Sequence, residues 1–137
     1  MARSDVMTPG EDDTRVTSAP ADPRDRHLFD ERPWGRFDQF TQNEASTVKI
    51  ITVEPGQRLS LQRHARRGEY WVIIDGPVEV TVDDATWAAA TGEKVWVPVG
   101  AVHRLGNPGA TAVRILEIGF GDFDEADIER LEDDYSR

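Results

Sequence analysis

The sequence predicts an all-β protein built as a jelly-roll barrel, and three observations carry that prediction. Apolar residues alternate with polar ones in short runs, turn residues punctuate the runs at regular spacing, and a helical period appears only at the C-terminal end. The 137 residues support one domain, and an apolar fraction of 38% is enough for a single core.

Residues 1–27 are rich in Asp, Pro, Thr, Ser, Ala and Arg and nearly free of large apolar side chains. Such a segment cannot bury enough surface to offset the entropy of ordering, so it is expected to be a disordered acidic tail with His27 solvated at its end. The barrel domain is expected over residues 28–137, opening at Leu28-Phe29 and Arg32-Pro33-Trp34-Gly35. Val48, Ile50 and Thr52 alternate with Lys49, Ile51 and Val53 up to a Pro55-Gly56 turn. Leu59, Leu61 and Tyr70–Ile74 read as strand, Asp75-Gly76 as a hairpin turn, and Val78, Val80 and Val82 as the strand after it. Trp87–Ala89 and Val95–Val97 are short strands. A turn at Pro98–Ala101 precedes a strand over Val102–Leu105, and Asn107-Pro108-Gly109 turns into a last strand, Val113–Ile118. Ile128, Leu131 and Tyr135 share one helical face behind Asp124 as N-cap, which predicts a short C-terminal helix. At least three of the four tryptophans, Trp34, Trp71, Trp87 and Trp96, are expected in the core or an interface.

There is no cysteine, so disulfides are excluded and a metal would need nitrogen and oxygen ligands. No run is apolar enough to span a bilayer and no signal-peptide pattern opens the chain, so a cytoplasmic location without membrane contact is expected. The net charge of −10 argues against a nucleic-acid partner. That charge is uneven. Nine acidic and two basic residues lie between Glu117 and Arg137, whereas Gln57–Gly68 holds Arg58, Arg63, Arg66 and Arg67 and no acid. The basic island is either a solvated face or a site for an anion.

Two constellations carry the chemistry. Gly56, Gln62, His64, Glu69 and Gly76 form the first; Gly92, Pro98, Gly100, His103 and Asn107 form the second. Residues i and i+2 of a strand face the same way, so Gln62 and His64 can both point into a barrel. The Ala65–Gly68 loop lets Glu69 enter the next strand aimed at the same point, and the Pro98-x-Gly100 turn starts the strand that carries His103. Two imidazoles, a carboxylate and an amide oxygen make a mixed site suited to one Zn, Mn, Co, Ni or Fe(II) ion. The alternative is a barrel that keeps this spacing for packing alone. The paired motifs resemble the cupin superfamily, whose fold is a double-stranded β-helix, with glutamine at Gln62 where most cupins place histidine.

The longer strings resemble a particular family, the C-terminal cupin domain of type II mannose-6-phosphate isomerases, usually fused to a mannose-1-phosphate guanylyltransferase. The resemblance runs through Arg32-Pro33-Trp34-Gly35, Val53-Glu54-Pro55-Gly56, Leu59-Ser60-Leu61-Gln62-Arg63-His64, Arg67-Gly68-Glu69-Tyr70-Trp71, Val97-Pro98-Val99-Gly100, His103–Gly109 and Glu132–Tyr135. It implies isomerisation of mannose 6-phosphate and fructose 6-phosphate through an enediol, with a divalent metal polarising C1 and C2 oxygens. Arg67, Arg104 and Lys49 become candidates for binding a small anionic sugar phosphate, and Glu69, Tyr70 and Arg104 candidates for catalysis. The chain departs from the family at Ala65-Arg66-Arg67-Gly68-Glu69-Tyr70-Trp71, where His-His-Arg-Ala-Glu-His-Trp is usual, and at Gly119–Ala126. The missing histidines leave two other functions in view, a non-catalytic sugar- or sugar-nucleotide-binding module and another metal reaction such as an Fe(II) oxygenase. The nucleotidyltransferase half is not found in these residues, so no guanylyltransferase activity is expected of them. Cupins often pair through sheet edges, which leads to the expectation of a homodimer.

Overall fold

The computed structural model describes residues 22–26 and 28–136, so most of the segment expected to be disordered lies outside the described residues, as does His27. Pro23–Arg26 forms one 3-10 turn. Eleven strands follow among the described residues: β1 (Leu28–Arg32), β2 (Gly35–Gln39), β3 (Ser46–Val53), β4 (Leu61–Arg63), β5 (Arg67–Asp75), β6 (Val78–Val82), β7 (Ala85–Ala89), β8 (Lys94–Val97), β9 (His103–Gly106), β10 (Val113–Gly121) and β11 (Glu129–Glu132).

Two sheets make the barrel, in the orders β3-β10-β5-β8 and β11-β4-β9-β6-β7, and β1-β2 is a separate hairpin. All pairing is antiparallel. The alternation read from the sequence sets which side chains turn inward. Trp71 and Ile73 of β5, Val113 and Ile115 of β10, and Val95 and Val97 of β8 meet Val78 and Val80 of β6 and Leu105 of β9 in one core. Each such side chain removed from water contributes roughly 1.5–3 kcal/mol, which makes this layer the main source of stability.

Two expectations are corrected. Asp75-Gly76 is not a hairpin turn, because β5 and β6 belong to different sheets; the chain crosses between them through a cis Gly76-Pro77 bond. The C-terminal segment is not a helix. Asp124 does accept from the Ala126 amide at 3.0 Å, as an N-cap would, but one turn later the chain extends and Glu129–Glu132 pairs with β4. The open edge of β4 offers backbone partners, and Arg63 and Arg104 offer charges to Glu129 and Glu132 at 2.7 and 3.0 Å. Leu131 and Tyr135, two of the three residues of the supposed apolar face, stay exposed.

Candidate metal centre

Four of the expected residues converge inside the barrel. Gln62 lies directly opposite His103 across the β4–β9 pair. His64 follows β4, and its carbonyl accepts from Gly100 N at 2.9 Å, so the Pro98–Gly100 turn pins the ligand loop. That turn needs φ of +85° at Gly100, which glycine adopts without steric cost. Glu69 enters from β5 on the same face as Trp71, whose indole N–H donates to Glu69 Oε1 at 3.1 Å. His64 Nε2 lies 3.1 Å from Glu69 Oε2, and His103 Nε2 lies 3.5 Å from Glu69 Oε1.

The donor chemistry fits a divalent cation. Each imidazole spends its Nδ1–H on a backbone carbonyl, His64 on Asp127 at 2.7 Å and His103 on Ala101 at 2.9 Å. Each Nε2 then faces Glu69 and, when its ring is neutral, has a lone pair free for an ion, an arrangement usual for metal-binding histidines. His103 Nε2 is buried without a hydrogen-bond partner, a costly state for an acceptor unless a cation completes it. Ligand atoms of His64, Glu69 and His103 all lie within 4.8 Å of one another. Donors about 2.0–2.2 Å from a shared ion need separations of this order. Gln62 Nε2 sits 3.4 Å from His64 Nε2 while its Oε1 accepts from the Ser60 hydroxyl at 2.6 Å. A half-turn of the amide presents the oxygen instead, and Ser60, able to accept as well as donate, stays bonded either way.

Electrostatics separates the two interior carboxylates. Burial would raise Glu69, but the His64 hydrogen bond and the charges of His103, His64 and Arg67 outweigh it and hold the group at about 2. Burial also lowers His103 against the pull of Glu69, while for His64 the same burial is outweighed by Glu69 and the Asp127 carbonyl and its value rises. Glu117, on β10 between Lys49 of β3 and Trp71 of β5, was not among the expected site residues. Burial and the charge of Glu69 raise it to about 7, against the pull of Lys49, whose Nζ is 3.9 Å away.

Arg67 points into the barrel, with Nε 3.2 Å from Glu69 Oε2 and its guanidinium 4.2 Å from the centre of the Phe123 ring. Lys49 lies 4.9 Å from the same ring. Arg104 and Tyr70 are elsewhere, because each neighbours an inward residue and so faces the other side of its strand. Arg104 donates to Leu59 O and Glu132, and the Tyr70 ring packs edge-on against Phe40 at 5.5 Å. Burial raises the Tyr70 phenol, opposite to what a base would need. An opening of about 650 Å³ beside His64 is lined by Arg63, Arg66, Gly100, Asp124 and Asp127 among others.

The chain matches the family model described as Mannose-6-phosphate isomerase C-terminal over residues 21–133. It belongs to that family. It is 45% identical over 107 residues to the alginate biosynthesis protein AlgA of Pseudomonas aeruginosa, covering 77% of this chain and 22% of the relative. A mannose-1-phosphate guanylyltransferase of Escherichia coli O157:H7 is 40% identical over 111 residues, covering 80% and 23%. The chain thus spans under a quarter of the length of these relatives. Among solved structures, a cupin 2 domain-containing protein from Halorhodospira halophila aligns with TM-score 0.57 and 25% identity over 77% of this chain and 68% of that one. A putative sugar phosphate isomerase from Acidithiobacillus ferrooxidans aligns with TM-score 0.52 and 25% identity over 58% and 51%. The fold is the cupin double-stranded β-helix, as its neighbours show.

Proposed function

We propose that this domain is a metal-dependent aldose–ketose isomerase that interconverts mannose 6-phosphate and fructose 6-phosphate. The observation that carries the reading is a buried arginine, Arg67, on the same interior face as three candidate metal ligands, in a member of this family. A divalent ion held by His64, Glu69, His103 and Gln62 would polarise the sugar oxygens at C1 and C2. Other groups of the chain do the rest. Arg67 is placed to hold a developing oxyanion, and Lys49, nearer the mouth, to meet the phosphate. Glu117 is the interior carboxyl left over from the ligand set; lying against Glu69, it is placed to carry the proton between C1 and C2. Arg104 and Tyr70 have no part in this reading, since both lie behind their strands.

A coupled assay for fructose 6-phosphate, run on EDTA-stripped protein and again after adding Zn, Mn or Co, tests it. Metal-restored turnover of mannose 6-phosphate is expected. Verified metal content without turnover would contradict it and favour the second reading, a binding module. The departures at Ala65 and Tyr70, where the family usually carries histidine, support that second reading.

A further inference from the structure

The segment joining β10 to β11, residues 122–128, runs beside the ligand loop, and one of its residues makes an unusual set of contacts. The Asp127 carboxylate accepts two successive amides of that loop, Ala65 N at 2.8 Å and Arg66 N at 2.9 Å. Its backbone carbonyl accepts from His64 Nδ1 at 2.7 Å. A single residue thus holds both the backbone that follows the ligand and the ligand's own ring. The carbonyl bond puts the His64 proton on Nδ1 and turns Nε2 toward Glu69. The carboxylate bonds fix the distance between that carbonyl and the ring. Asp127 is held in turn, its amide donating to Asp124 O at 2.9 Å, while Arg67 Nη1 donates to the same carbonyl at 3.3 Å.

We propose that Asp127 is a positioning residue for the metal: it latches residues 122–128 onto the His64–Arg66 loop and thereby holds His64 in the orientation that retains a divalent cation. The proposal rests on the metal-site reading and not on isomerase chemistry. Removal of the carboxylate frees the carbonyl from its register with the ring, so His64 samples orientations in which Nε2 leaves the ion. Glu129, which follows in the same segment, offers a control. It pairs with Arg63 at 2.7 Å, so its loss loosens β11 without touching His64.

The test uses the full chain loaded with Co(II), following the visible absorption of the ion and its loss to excess EDTA. D127A is expected to shift the Co(II) band and to release the ion about tenfold faster than wild type. D127N, which keeps one acceptor oxygen, should fall between, and E129Q should match wild type. Release from D127A at the wild-type rate would overturn the proposal, as would equal acceleration by E129Q, which would make the effect one of general loosening. If D127A does not fold, D127N decides on the same criterion. Failure of wild type to retain Co(II) would sink the metal site itself. Absence of turnover, by contrast, leaves this comparison untouched.

Discussion

At the scale of single residues, the two interior carboxylates are driven in opposite directions by one environment. Glu69 gains His64 and Arg67 and stays ionised; Glu117 has mainly burial and the Glu69 charge against it and rises from 4.5 to about 7. In the metal-free protein the folded state therefore holds an extra proton on Glu117 between these two values. Stability from this group is full below pH 4.5, falls as pH rises through the window, and is lost above pH 7. E117Q should accordingly melt higher than wild type at pH 8, with the gap closing toward pH 5; a gap independent of pH would contradict the assignment. The convergence of these candidate ligands was legible, because strand alternation puts Gln62 and His64 on one face and the motif supplies Glu69 and His103. Glu117 was not, although Val113, Ile115 and Glu117 follow the same alternation. Its charge made it look like the first residue of the acidic C-terminal run, when a carboxylate on an apolar stripe was the signal to notice.

At the scale of elements, local pattern succeeded where one face is buried and failed where tertiary partners decide. The strands from β3 to β10 carry alternation strong enough to set their register. Residues 128–135 carry a helical spacing too short and too acidic to hold a helix alone, and β4's open edge, with Arg63 on it and Arg104 on the neighbouring β9, wins. Asp75-Gly76 has hairpin chemistry, but topology sends β5 and β6 to different sheets. The start of β5 leaves little room for a larger side chain. A Cβ on Gly68 would collide with Trp96 Cη2, and the Trp96 ring is itself packed against Phe120. G68A is therefore expected to cost about 1–3 kcal/mol, read as a lowered denaturation midpoint, and W96F in the same chain to recover part of it. An unchanged midpoint in G68A would show that Trp96 yields freely.

At the scale of the whole molecule, the uneven charge seen in the sequence is resolved internally. Arg58, Arg63 and Arg104 pair with Asp134, Glu129 and Glu132, and Arg66 lies 3.4 Å from both Asp122 and Asp124. The acidic C-terminal run thus lies along the basic island, which leaves Arg67 and Lys49 as the cations turned toward the interior. Charge counting found both partners but not that they meet. No helix among the described residues is long and apolar enough to cross a membrane. Among the described residues β3 is one of the two edges of its sheet, with Val48 and Ile50 56% and 55% exposed. A homodimer through this edge is predicted: sedimentation should give twice the chain mass, and I50E should give monomer. A monomeric wild type would remove the prediction.

The central claim is that His64, Glu69 and His103 hold one divalent ion. Calorimetric titration of Zn or Co(II) into metal-free protein tests it most directly, with H103A alongside. One equivalent bound tightly by wild type, and affinity reduced at least about a hundredfold in H103A, is the predicted result. No saturable binding by wild type, or equal binding by H103A, would contradict the account.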